Sequence, residues 1–83
     1  MNPRKHLNPP DSCDLCQRPI EAKNALDPDL VGTTEFYDAK TKMGPWGNLC
    51  PTCFKTHGIS LGTGLGQHYV YSPDEEAFVK TEG

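Results

Sequence analysis

Cys13 and Cys16, then Cys50 and Cys53, are the only cysteines in the chain, and two residues separate the members of each pair. A two-residue gap lets one tight turn aim both sulfurs at a single point, so two such pairs supply the four thiolates of a closed tetrahedral metal shell. The constraint is strong because the chain has only 83 residues. A domain of this size rarely buries enough apolar surface to offset its conformational entropy without a metal or disulfide. One structural zinc ion held by Cys13, Cys16, Cys50 and Cys53 is therefore the expected cofactor, with folding as its first role.

Residues 1–10 contain three prolines, with Met1 and Leu7 as their sizeable apolar side chains. They are expected to be a flexible tail, leaving 11–83 as a single zinc-binding domain. No apolar run approaches the length of a membrane span, and Met1-Asn2-Pro3-Arg4-Lys5 is not followed by the apolar stretch of a signal peptide. The chain is expected in a cytoplasm, where paired cysteines hold metal more often than they form disulfides. The formal charge is -3, and a divalent ion with four thiolates takes it to about -5. No Asp or Glu falls between Asp38 and Asp74, whereas Lys40, Lys42, Lys55, His57 and His68 do.

The first pair sits in a stretch, 11–20, that reads as a zinc knuckle whose amides point at the sulfurs. Residues 21–32 read as loop, with Asp27 and Pro28 suited to start a short helical turn. A hairpin is expected from 33–37 to 41–43 with its turn at Asp38-Ala39-Lys40, before Gly44-Pro45 breaks the second strand. Pro51 suits the first position of a helix through His57, and Gly58 suits a left-handed cap at its end. Strands at 68–71 and 77–80, joined around Pro73, complete a C-terminal hairpin. The fold class is a small metal-stabilised α+β domain, a treble-clef-like zinc finger with knuckle, β-hairpin and short helix. The competitor is a zinc ribbon, with both pairs on knuckles.

Thiol redox chemistry is the enzymatic alternative, but the chain has no βαβ pattern to carry it. His57, three residues beyond Cys53, is an alternative ligand, though four sulfurs already fill the shell. A catalytic zinc needs an open position and a nearby base, and the acid-free interval supplies none near the second pair. Gly62, Gly64 and Gly66 lack the third glycine of a dinucleotide fingerprint, where Gln67 stands, and the Gly-Lys-Ser/Thr of a phosphate loop. They are read as permitting positive φ and tucking Leu61 and Leu65 inward, with anion contact as the alternative. Nothing predicts an enzyme or a small-molecule substrate.

Gly44-Pro45-Trp46 before the second cysteine pair, followed by Gly62, Gly64, Gly66, Gln67 and Tyr69, resembles small zinc-binding proteins encoded by tailed bacteriophages and prophages. In these a Cys-x-x-Cys opens the chain and a Gly-x-Gly-x-Gly-Gln-x-Tyr element follows the second pair. The likeness covers roughly 13–71, although Ala39 stands at a glycine position of similar sequences and Leu65 at an arginine. It implies a phage origin and a zinc site, but no reaction. The expected function is a non-enzymatic interaction module that binds a host macromolecule and modulates host machinery. A host protein is the expected partner, met through Trp46, the glycine loop and Tyr69/Tyr71. The alternative is nucleic acid bound by 39–73, and the candidate contact set is Lys42, Trp46, Lys55, His57, Gly62, Gly64, Gly66, Gln67, His68, Tyr69 and Tyr71.

Overall fold

The computed structural model describes residues 5–83, in which β1 (Glu35–Lys40), β2 (Trp46–Leu49), α1 (Pro51–His57), β3 (Gly66–Ser72) and β4 (Ala77–Glu82) follow in chain order. The strands pair antiparallel in one sheet, ordered β2-β1-β3-β4. The domain is therefore α+β, with a C-terminal hairpin where the residue pattern expects one.

The first hairpin forms, but its turn lies further on than expected. Asp38 and Ala39 stay in strand, paired with Asn48 and Gly47 on one side and with Gln67 and Gly66 on the other. Ala39 is fully buried. Reversal waits for Gly44, whose φ of 112° supplies the left-handed residue, and both the amide and the hydroxyl of Thr41 donate to the Pro45 carbonyl. The returning strand is consequently Trp46–Leu49 rather than 41–43.

Side chains alternate between the two faces of the sheet, and each face carries its own packing. On one, Phe36 stacks on Tyr69 at 5.2 Å between ring centroids and meets Phe78 edge-on, with Ile20 and Tyr71 alongside. His6 closes this cluster, its ring edge-on to Phe36 and Tyr69, while its backbone amide donates to the Phe78 carbonyl. Lys5 bridges Val79 on the outer edge of β4. The expected tail is thus docked at Lys5 and His6, because an imidazole fills the aromatic core; residues 1–4 lie outside the described residues.

On the other face, Tyr37 stacks on Phe54 of α1 at 4.0 Å and on His68 at 4.2 Å. His68 also ties three strands together. Its Nε2 lies 3.2 Å from the Glu35 carboxylate and its Nδ1 2.8 Å from the hydroxyl of Thr81, which is bulged out of the β3–β4 register. Beside this row, Gly47, Ala39 and Gly66 lie side by side across three strands. They leave room for the chain between α1 and β3 to cross closely, since a Cβ on Gly66 would sit 2.8 Å from that of Ala39 and 3.0 Å from the Ser60 carbonyl oxygen.

Gly58 corrects a second expectation. Its φ of -76° and ψ of 159° are extended, not left-handed. Glycine is required there by space, because a Cβ would meet the Phe54 ring at 2.4 Å, while its amide still donates to the Phe54 carbonyl.

Residues 21–33 make a closed loop. Its neck is the Glu21 amide on the Thr33 carbonyl and the Thr33 amide on the Pro19 carbonyl. The Glu21 carboxylate accepts the amides of Val31 at 2.9 Å and Gly32 at 2.7 Å. Asp27 accepts the Asp29 amide, so the single turn expected at Asp27-Pro28 is present. The Gly32 amide, against opposition from burial and with help from the Val31 amide and Lys23, holds the Glu21 carboxyl below its ordinary value.

Two outcomes are expected. Gly66→Ala should lower stability by about 1–3 kcal/mol through overpacking, read as a lower urea midpoint at unchanged slope. For Glu21, a depressed folded-state value means that its stabilising contribution is present above the ordinary glutamate range and is lost as pH falls through the depressed value. The amide proton shifts of Val31 and Gly32 should therefore titrate together below that range; titration within the ordinary range would refute the carboxylate bridge.

Candidate metal centre

The two cysteine pairs converge although 34 positions separate Cys16 from Cys50. All four sulfurs lie within 4.8 Å of one another, with Cys16 Sγ and Cys50 Sγ 3.6 Å apart. A tetrahedral ion with metal–sulfur bonds of about 2.3 Å requires sulfurs about 3.8 Å apart. The cluster therefore fits a thiophilic metal ion with small adjustments of rotamer.

Each pair is presented by a different local structure. Cys13 and Cys16 sit on a turn closed by the Gln17 amide on the Cys13 carbonyl and the Cys13 amide on the Arg18 carbonyl. Gln17 takes a φ of 69° to complete it, a left-handed conformation that glycine would adopt with less strain. Cys50 is instead the N-cap of α1, with Pro51 in the first turn, and its sulfur accepts the Cys53 amide at 3.5 Å. The second pair thus opens a helix, whereas a ribbon would place it on a second knuckle.

The two ligand segments are clamped to each other through one residue. The Asp14 amide donates to the Asn48 carbonyl at 2.9 Å, and the Asn48 amide donates back to Asp14 Oδ2 at 2.7 Å. This closes the free edge of β2 just before Cys50. Asp14 lies between two ligands, yet its carboxylate oxygen is occupied by an amide, which makes it a clamp.

The electrostatics of the cluster match its geometry. Burial raises the Cys13 thiol, but the amides of Cys50, Cys16 and Leu15 outweigh it and lower the thiol to about 6. The Arg18 amide lowers the Cys16 thiol, yet burial and the Cys50 and Cys13 sulfurs leave it raised. Burial first, then the three neighbouring sulfurs, raises the Cys53 thiol. Four sulfurs this close cannot all carry charge unaided, and a bound cation removes that repulsion. Cys13 and Cys50 are buried whereas Cys16 is exposed, so one side of the cluster faces solvent.

The remaining candidate residues do not form one surface. Tyr69 is 4% exposed and belongs to the core, and Tyr71, half-buried, packs against the same cluster. Gln67 accepts the Tyr69 hydroxyl, and His68 is engaged at both ring nitrogens and stacked on Tyr37. These positions were expected to meet a partner, but a small sheet uses its aromatics for packing. In the glycine loop, the amides of Gly62, Leu65 and Gly66 are spent on loop carbonyls, and the Leu65 carbonyl accepts the Lys40 amide. Gly62 and Gly64 take the expected positive φ, and Leu61 and Leu65 are half-buried, outside the aromatic cluster. Trp46 remains half exposed. Lys42 and Lys55 are exposed, and the Lys42 amide donates to the carbonyl of His57, which is outside the sulfur cluster.

Sequence reasoning missed Asp14 and His6. An Asp inside a Cys-x-x-Cys could have flagged the clamp, whereas nothing local marks His6 as a core residue. The fold and site define a small antiparallel α+β protein built around a four-cysteine cluster. No protein-family model, curated protein or solved structure matches the chain. Among the described residues, no helix is long and apolar enough to cross a membrane.

Asp14→Ala should weaken metal affinity by about tenfold, the lower end of outer-shell effects, while Asp14→Asn keeps an acceptor oxygen and most of the affinity. Competition with a chromophoric chelator measures both. Equal losses in the two variants would show that charge near the sulfurs, rather than the clamp, sets affinity.

Proposed function

We propose that the chain is a non-enzymatic interaction module held by one structural zinc ion in a treble-clef-like site, and that it acts by binding a host protein as a phage- or prophage-encoded cytoplasmic factor. The observation that carries the zinc reading is the convergence of four sulfurs within 4.8 Å on a turn and a helix start. An all-thiolate tetrahedral shell suits zinc and leaves no open position for substrate. Phage origin rests on the Gly-Pro-Trp and glycine-loop resemblance alone.

A protein partner is favoured over nucleic acid by where the aromatics went. Single-stranded nucleic acid is bound by exposed rings interleaved with cations. Here Tyr69 is buried, Tyr71 packs on the core, and Trp46 is the exposed ring of that set. One observation favours the nucleic-acid alternative: the hydrogen bond from Lys42 to His57 brings Lys42 beside the helix end that carries Lys55. That reading requires oligonucleotide binding that falls steeply with salt and with charge reversal at Lys42 and Lys55.

The central test is metal removal. The purified chain should carry one zinc per molecule, and a strong chelator should abolish its dispersed amide spectrum, with recovery on adding zinc back. Cobalt(II) in its place should give the absorption of a tetrahedral thiolate site, lost in Cys13→Ser. Because protons compete for the thiolates, affinity should fall as pH is lowered. A chain that keeps its native spectrum without metal would overturn the reading.

A further inference from the structure

The loop of residues 21–33 presents Leu26 and Val31 to water, with Leu30 half-buried between them, while holding its backbone in place. Leu26 is 89% exposed and Val31 79% exposed. Single exposed apolar residues are ordinary on protein surfaces. What sets this pair apart is the frame beneath it. The Glu21 carboxylate holds the Val31 and Gly32 amides, and the Arg18 guanidinium donates to the Gly32 carbonyl. Asn24 accepts the Leu26 amide and Asp27 the Asp29 amide, so the turn bearing Leu26 is itself tied.

None of residues 21–31 is fully buried, and none belongs to the aromatic core cluster. Gly32 at its neck is pinned, since a Cβ there would lie 1.9 Å from the Pro19 carbonyl oxygen. A loop ordered before binding avoids the entropy cost of ordering on contact. Its charge then selects the partner. Glu21 is neutralised by Lys23 at 3.4 Å, whereas no ion pair among the described residues engages Asp27 or Asp29.

We propose that this loop is the docking element for a protein partner whose surface offers an apolar cleft for Leu26 and Val31, with lysine or arginine at its rim for Asp27 and Asp29. The inference rests on the interaction-module reading above and assigns that module's contact surface. It moves the contact from Trp46, the glycine loop and Tyr69/Tyr71 to the segment after the first cysteine pair. Phosphate backbones are disfavoured as ligands for this loop, because two carboxylates without an ion-pair partner among the described residues lie between Leu26 and Val31. Electrostatic complementarity of this kind speeds encounter, and burial of the two aliphatic side chains sets residence time.

The test uses the full, zinc-loaded chain carrying a photo-crosslinking residue at position 26 or, separately, at position 46, in the cells that produce it. Mass spectrometry should locate crosslinks from position 26 on a protein, at an apolar surface flanked by basic residues. With that protein purified, Leu26→Ser combined with Val31→Ser should lower affinity by about tenfold or more, as should Asp27→Lys combined with Asp29→Lys. Each variant should retain one cobalt(II) per chain, so that loss of folding is told apart from loss of contact. Crosslinks from position 46 but not 26 would overturn the loop and leave the module intact. Products at neither position would overturn both. Crosslinks from position 26 to nucleic acid, or to a second copy of the chain, would overturn the proposed occupant.

Discussion

The reciprocal hydrogen bonds between Asp14 and Asn48 join the first cysteine turn to the strand that leads into the second pair. Their effect is to close the exposed edge of β2 with the first cysteine turn. Cys13 and Cys16 are thereby set against the end of a strand whose next residue is Cys50. Removing this contact would leave the placement of Cys13 and Cys16 beside Cys50 to the sulfurs and to the packing of Ile20 in the Phe36 cluster. Sheet, helix start and cluster are therefore one cooperative unit.

Either side of that unit, the sheet solves a problem of scarcity. A chain with three phenylalanines, three tyrosines and one tryptophan has few large groups to bury. It spends Phe36, Tyr69, Tyr71 and Phe78 on one face and Tyr37 with Phe54 on the other, and recruits His6 and His68 to extend each set. The small residues Gly47, Ala39 and Gly66 are the counterpart, allowing backbone to cross the sheet where no large side chain is available. This economy explains why the expected aromatic contact surface is absent as a surface: most of those rings are the core.

What is left outside is instructive. The glycine loop folds its own amides onto its own carbonyls, which serves the turn and leaves little to cradle an anion. The 21–33 loop also satisfies its own backbone, through Glu21, Asn24 and Asp27, yet it turns leucine and valine outward. Two loops of similar economy thus differ in what they display. The acidic, apolar one is the surface proposed above for a protein partner.

Local chemistry determined what could be read from residues alone. The paired cysteines, the proline at the helix start, the Asp27 turn and the C-terminal hairpin depend on neighbours within a few positions, and each appears where the residue pattern puts it. Contacts that cross the chain decided the rest. The hairpin turn moved past Lys40 because Ala39 is buried between two glycine-bearing strands. Gly58 is needed for its missing Cβ rather than its φ, because the Phe54 ring lies against it. His6 became a core residue because β4 offered an open edge beside an unfilled aromatic cluster. None of these is visible in periodicity, since burial and edge pairing are properties of the assembled sheet.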